Sequence, residues 1–182
     1  RFDLFPKELF TPKDDFFSSI GVESIKETVE EMVWTNAKAI YGSTIPKIVN
    51  DRINHELKTI IDRGFGNVYY ISHLLVKKSL EAKYLVGSRG SVGSSLVATL
   101  MNVTEVNPLP PHYVCPHCQF SVFKQKNAEF DPRTATLQTE LQKVESGFDL
   151  PHANCPRCGH GLTGEGQDIP FATFLGFKGD KV

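Results

Sequence analysis

The chain has 182 residues, 40% of them hydrophobic, and a formal net charge of −1 from 20 Lys and Arg against 21 Asp and Glu. That length supports one domain with a real core, or one domain with a small satellite, while the near-neutral charge argues against a self-sufficient nucleic-acid binder, which carries a basic excess. No apolar run approaches a membrane span, and the opening RFDLFPKELF has no signal-peptide apolar region, so the expectation is a cytoplasmic chain with no membrane partner.

Residues 1–45 read as an entry segment and a helix. Phe2, Phe5, Phe10, Phe16 and Phe17 give the segment an apolar surface to pack, and Ile25, Val29, Met32, Val33, Ala37 and Ile40 then recur at three- and four-residue steps. Residues 46–111 begin with a clearer helix. Pro46 suits its first turn, Val49, Ile53, Leu57, Ile60 and Ile61 make one apolar stripe, and Gly64 fits a C′ stop. His55 lies off the stripe, as a solvated residue would. A third helix from about Asn67 uses Val68, Ile71, Leu74, Leu75 and Leu80; Tyr70 and His73 sit on it with no visible partner.

After that helix Tyr84, Leu85 and Val86 predict a short strand. Gly87-Ser88-Arg89-Gly90-Ser91-Val92-Gly93-Ser94-Ser95 predict a loop, and Leu96, Val97, Ala98, Leu100 and Met101 predict the first turns of a helix. Glycines let the backbone turn sharply and approach a ligand. A helix N-terminus has N–H groups without intrahelical partners and a dipole that favours an anion. Serine hydroxyls and one guanidinium add donors that suit phosphate oxygens. The physical reading is a phosphate cradle, with an ordinary surface turn as the alternative. The spacing matches neither G-x-x-x-x-G-K-[ST] nor G-x-G-x-x-G, so neither a P-loop ATPase nor a Rossmann dehydrogenase is supported. From Leu74 to Val103 four cations, Lys77, Lys78, Lys83 and Arg89, face one anion, Glu81. Positive charge thus collects where a triphosphate needs it, though Lys77 and Lys78 also fit a solvated face.

Asn107-Pro108-Leu109-Pro110-Pro111 ends regular structure and leads into a different module, residues 112–165. All four cysteines lie there in two C-x-x-C pairs, Cys115/Cys118 and Cys155/Cys158, with thirty-six residues (119 to 154) between them. Two such knuckles are the pattern of a closed, tetrahedral four-cysteine zinc site of the ribbon type, structural rather than catalytic. Gly159 and Gly161 suit the tight turn, and residues 132–144 read as a helical insertion. Disulfides are disfavoured without a secretion signal, and a redox C-x-x-C would call for one motif in a βαβ unit. His117, His152 and His160 stand near the knuckles as bystanders.

LVGSRGSVGSSLVA followed by TEVNPLPPHYVCPHC resembles the PolC-type bacterial replicative DNA polymerase III alpha subunit. SGFDLP, CPRCG, DIPF and FLGFKGDKV resemble it in the same order, as does DRGFGNVYYISHLLVKKS before the loop. The resemblance implies an α+β fold: a helical scaffold plus part of a polymerase palm, with an inserted four-cysteine zinc ribbon and a return to the palm over residues 166–182. It implies that Ser88, Arg89, Gly90, Ser91, Gly93 and Ser94 hold the phosphates of the incoming dNTP. The function it implies is part of a DNA-directed DNA polymerase in chromosomal replication, with primer-template DNA, a sliding clamp and other replisome subunits as partners of the parent enzyme. Besides structural Zn²⁺ on Cys115, Cys118, Cys155 and Cys158, the parent would use Mg²⁺. The sequence has no D-x-D pair on an apolar strand to hold it; in the family the two catalytic aspartates follow the FLGFKGDKV run. No catalytic residue is therefore assigned, and the fragment alone is expected to be inactive. The competing expectation is a non-catalytic zinc-ribbon module that binds nucleic acid or a partner protein.

Overall fold

A computed structural model describes residues 14–87, 90–125 and 132–171, with only the backbone described at 14–16 and 91. After a short helix α1 (Asp14–Ser19), three longer helices follow: α2 (Ile25–Tyr41), α3 (Lys47–Asp62) and α4 (Gly66–Glu81). Ser24 caps α2, its hydroxyl accepting the Glu27 N–H at 3.4 Å. Helix α3 ends as its glycine predicts. Gly64 has φ +72°, the Phe65 N–H reaches the Ile60 carbonyl and the Gly64 N–H reaches that of Ile61, the paired bonds of a Schellman stop.

Val29, Val33 and Ala37 of α2 meet Val49, Ile53, Leu57 and Ile60 of α3 in one buried core. Helix α4 departs from its pattern. It turns Tyr69 inward and leaves Val68, Leu75 and Leu80 exposed. Phe17 is buried with its ring edge-on to Tyr70; the expected packing of Phe2, Phe5 and Phe10 lies outside the described residues.

The predicted strand at Tyr84–Val86 does not form. Tyr84 and Leu85 are solvent-exposed, and nothing pairs that segment into a sheet among the described residues. The chain passes instead through a 3-10 turn (Ser91–Ser94) into a five-residue helix α5 (Leu96–Leu100). The strands described are β1 (His112–Val114), β2 (Ser121–Phe123) and β3 (Thr163–Glu165), antiparallel in the order β2-β1-β3. His112 pairs with Phe123 and Glu165, and Tyr113 with Val122 and Gly164.

Central strand β1 is a wall between two cores. Val114 and Phe123 join the helical core, whereas Tyr113 and Val122 pack with Leu137 and Leu141 of α6 (Ala135–Lys143). The architecture is therefore mixed: helices with one small antiparallel sheet, an α+β arrangement. Residues 167–169 then run back along 107–109, with N–H groups of Gln167, Asp168 and Ile169 bonded to the carbonyls of Asn107, Leu109 and Pro108. Gly166 makes the close approach possible. Its φ is +102°, and a Cβ there would stand 2.3 Å from the Pro110 carbonyl oxygen.

Candidate functional site

Of the six predicted phosphate-binding residues, Ser88 and Arg89 lie outside the described residues, as does the side chain of Ser91. Gly90 enters the turn at φ +82°, a conformation that suits glycine. The Gly93 N–H donates to the Gly90 carbonyl at 3.4 Å, and a Cβ on Gly93 would press on Val106 at 3.3 Å. Ser94 is buried, and its carbonyl faces inward to Arg52.

The start of α5 corrects the expectation that its N–H groups are open to an anion from solution. They are already filled from inside. Glu56 of α3, fully buried, accepts the Leu96 N–H on Oε1 and the Val97 N–H on Oε2, each at 3.0 Å. The Ser95 hydroxyl accepts the Ala98 N–H at 3.2 Å, donates to Glu56 Oε2 at 2.9 Å and accepts the Tyr69 hydroxyl at 3.1 Å. Its one donor and two acceptor sites are thus all used. A carboxylate suits this end of a helix because the dipole there is positive.

Arg52, one turn before Glu56, completes the network. Its Nε donates to Glu56 Oε1 at 2.5 Å, and one terminal nitrogen donates to the carbonyls of Ser94 (2.7 Å) and Ile169 (2.9 Å). Burial pushes the Tyr69 phenol well above its ordinary pKa, against the pull of the Ser95 hydrogen bond and with help from the Glu56 charge. Tyr69 therefore stays a donor. Sequence reasoning passed over Arg52, Glu56 and Tyr69. A signal was present: Glu56 falls on the apolar stripe between Ile53 and Ile60, with a cation at i−4.

The second cluster is that of the cysteines. The sulfurs of Cys115, Cys118, Cys155 and Cys158 lie within 4.8 Å of one another. Cys115 Sγ stands 3.5 Å from Cys158 Sγ, and Cys118 Sγ is equally far from Cys155 Sγ. A disulfide needs about 2.05 Å, and all four thiols are free. Sulfurs bound about 2.3 Å from one tetrahedral ion stand about 3.8 Å apart, so the donor set fits a metal ion such as zinc.

The two knuckles share one backbone pattern. The Cys115 N–H bonds the Phe120 carbonyl and the Gln119 N–H bonds that of Cys115; Cys155, His160 and Gly159 repeat these bonds. The turn residue has φ +59° at Gln119 and +77° at Gly159. Gly161, expected to shape the turn, instead pairs with Asn154 in an antiparallel bridge. His117 and His160 stack with ring centroids 3.9 Å apart and, with Cys158, form a second, more exposed group of possible ligands.

On β1, His112 is buried against Phe123 and Tyr41. Its Nδ1–H donates to the Pro110 carbonyl at 2.7 Å, because a carbonyl can only accept. That leaves Nε2 to accept from the Tyr41 hydroxyl at 3.1 Å. Burial lowers the His112 pKa to about 4, despite the opposing Pro110 bond.

These two clusters, one under a glycine–serine turn and one of four thiols, sit on a sequence that matches known proteins over most of its length. Residues 27–182 match a family profile described as "Bacterial DNA polymerase III alpha NTPase domain". The DNA polymerase III PolC-type of Bacillus subtilis is 54% identical over 175 residues, which are 96% of this chain and 11% of that protein. The PolC-type proteins of Halalkalibacterium halodurans and Staphylococcus aureus are 51% and 52% identical over 97% and 96% of the chain, each again at 11% of its own length. The chain belongs to the bacterial DNA polymerase III alpha family, and it spans about a tenth of the length of these PolC-type relatives.

Proposed function

We propose that this chain is the part of a PolC-type DNA-directed DNA polymerase that grips the triphosphate of the incoming dNTP during template-directed chromosomal replication. The observation that carries the reading is the match across 96% of the chain to PolC-type polymerases; the sharply turned Gly90–Ser94 segment, anchored from beneath, supports it. With the α5 N–H groups taken by Glu56 and Ser95, phosphate would be held ahead of the helix, by the backbone of Ser88, Gly90, Ser91 and Gly93, the hydroxyls of Ser88 and Ser91, and the Arg89 guanidinium. Ser94 would contribute by holding the end of the turn. Such binding orients the β- and γ-phosphates and offsets charge that builds on the leaving pyrophosphate.

Cys115, Cys118, Cys155 and Cys158 would hold one structural zinc ion, which ties the two knuckles together and leaves no open position for chemistry. The magnesium ions of the parent reaction need carboxylates that this sequence does not pair. Primer-template DNA, a sliding clamp and other replisome subunits would be met through the parent enzyme, in the cytoplasm. The test is titration of the zinc-loaded chain with a dNTP. Saturable binding that depends on the triphosphate is expected. A chain that takes zinc but no nucleotide would instead be a zinc-ribbon module for nucleic acid or a partner protein.

A further inference from the structure

We propose that Arg52, Glu56 and Tyr69 are positioning residues for nucleotide binding: together they fix the glycine–serine loop from below, and Arg52 neutralises the Glu56 charge buried at its root. The inference rests on the phosphate-cradle reading of that loop.

Glu56 consumes the Leu96 and Val97 N–H groups, and Ser95 that of Ala98. The place of the loop relative to the helices is therefore set by what grips its C-terminal end. Those grips come from two helices: Arg52 and Glu56 on α3, and Tyr69 on α4. Arg52 is the hub. One planar guanidinium serves the Glu56 carboxylate, the Ser94 carbonyl and the Ile169 carbonyl, a three-way fit that a lysine ammonium cannot reproduce.

Charge gives the second part of the argument. A fully buried carboxylate beneath a site for a polyanion opposes binding unless a cation offsets it. Arg52 does so at hydrogen-bond distance. Loss of the fork would thus both loosen the turn and expose the triphosphate to the Glu56 charge. Tyr69 acts only on geometry: its hydroxyl fixes the Ser95 hydroxyl, which caps α5 and bonds Glu56.

The experiment uses the full-length polymerase that contains this sequence, with steady-state primer extension, primer-template affinity and melting temperature measured for Tyr69→Phe, Arg52→Lys, Arg89→Ala and the Tyr69→Phe/Arg89→Ala double variant. Tyr69→Phe keeps the ring and removes the hydroxyl that bonds Ser95. It should raise the dNTP KM about three- to tenfold while primer-template affinity stays within about twofold. Arg52→Lys should raise the KM further. The double variant should fall short of the product of the single effects, since a misplaced loop costs less once its guanidinium is gone. The proposal is overturned if Tyr69→Phe and Arg52→Lys lower the melting temperature yet leave the dNTP KM at the wild-type value while Arg89→Ala raises it; the network would then be structural only. If Arg89→Ala also leaves the KM unchanged, the cradle reading fails and this inference falls with it. Should Arg52→Lys not fold, Tyr69→Phe alone decides.

Discussion

Arg89 carries the charge of the proposed cradle, so its truncation is the direct residue-scale test. Each charge-assisted bond to phosphate is worth roughly 1.5–3 kcal/mol. In the parent polymerase Arg89→Ala should therefore raise the dNTP KM at least tenfold and lower turnover, both read from primer-extension kinetics. The loop glycines are a poorer probe than their sequence suggests. Gly90 sits at positive φ and Gly93 packs on Val106, so a valine at either would do harm with or without a phosphate nearby. His112 offers a prediction of another kind. Unfolded, its imidazole titrates near 6.5; folded, burial holds that value at about 4. Between those values the unfolded chain binds the extra proton. Stability contributed by neutral His112 is thus fully present above pH 6.5 and lost as pH falls toward 4, on the order of 3 kcal/mol in all. NMR of the His112 ring should show the Nδ1–H neutral form unchanged at pH 5, and a ring that titrates near 6.5 would contradict the buried hydrogen-bonded geometry.

Elements show where sequence patterns carry far and where they stop. Helices α2 and α3 were legible because each buries one stripe, and Gly64 announces its own stop. The cysteine spacing was legible because two C-x-x-C knuckles need only local turns to converge. Tyr84–Val86 misled because an apolar triplet carries no record of which neighbours exist to pair with it. Strand β1 was hidden for the opposite reason. Only three residues long and buried on both faces, it has no apolar–polar alternation to reveal it. The capping of α5 by Glu56 spans forty positions in sequence, beyond the reach of any local rule. The cysteine cluster makes the element-scale prediction. Zinc bound by such a site contributes roughly 10–16 kcal/mol, which is also folding energy. Strong chelation should unfold residues from about 114 to 162 and leave α2 and α3 less affected, with amide exchange rising far more in the first region than in those helices. Metal analysis without zinc, or a disulfide between the knuckles, would remove the site.

For the molecule as a whole, the prediction is inactivity in isolation. Residues 1–182 incubated with primer-template, magnesium and all four dNTPs should give no extension. Phosphate donors alone cannot hold two metal ions against a primer hydroxyl, and a net charge of −1 gives little field to grip DNA. Templated extension above a contaminant-controlled blank would overturn that account. The α+β composition and the family were legible from sequence because the motifs occur together in order. The shared wall of β1 was not, because it depends on two cores closing at once.

The hydrogen bond from Arg52 to the Ile169 carbonyl also acts as a clock during synthesis. The two residues are 117 positions apart, and a ribosome that adds about 5–20 residues per second needs roughly 6–23 seconds to cross that interval. Ser94 emerges 42 positions after Arg52 and 75 before Ile169. So for roughly the last 4–15 seconds of that interval α3 and the glycine–serine loop are both made while the last anchor of the loop is not, and the whole cysteine-bearing stretch must emerge first. A stalled nascent chain cut before Ile169 should leave the loop open to protease, and one extended past residue 169, with zinc supplied, should protect it. Zinc supply and polymerase maturation would then be coupled on the ribosome, before any nucleotide is met.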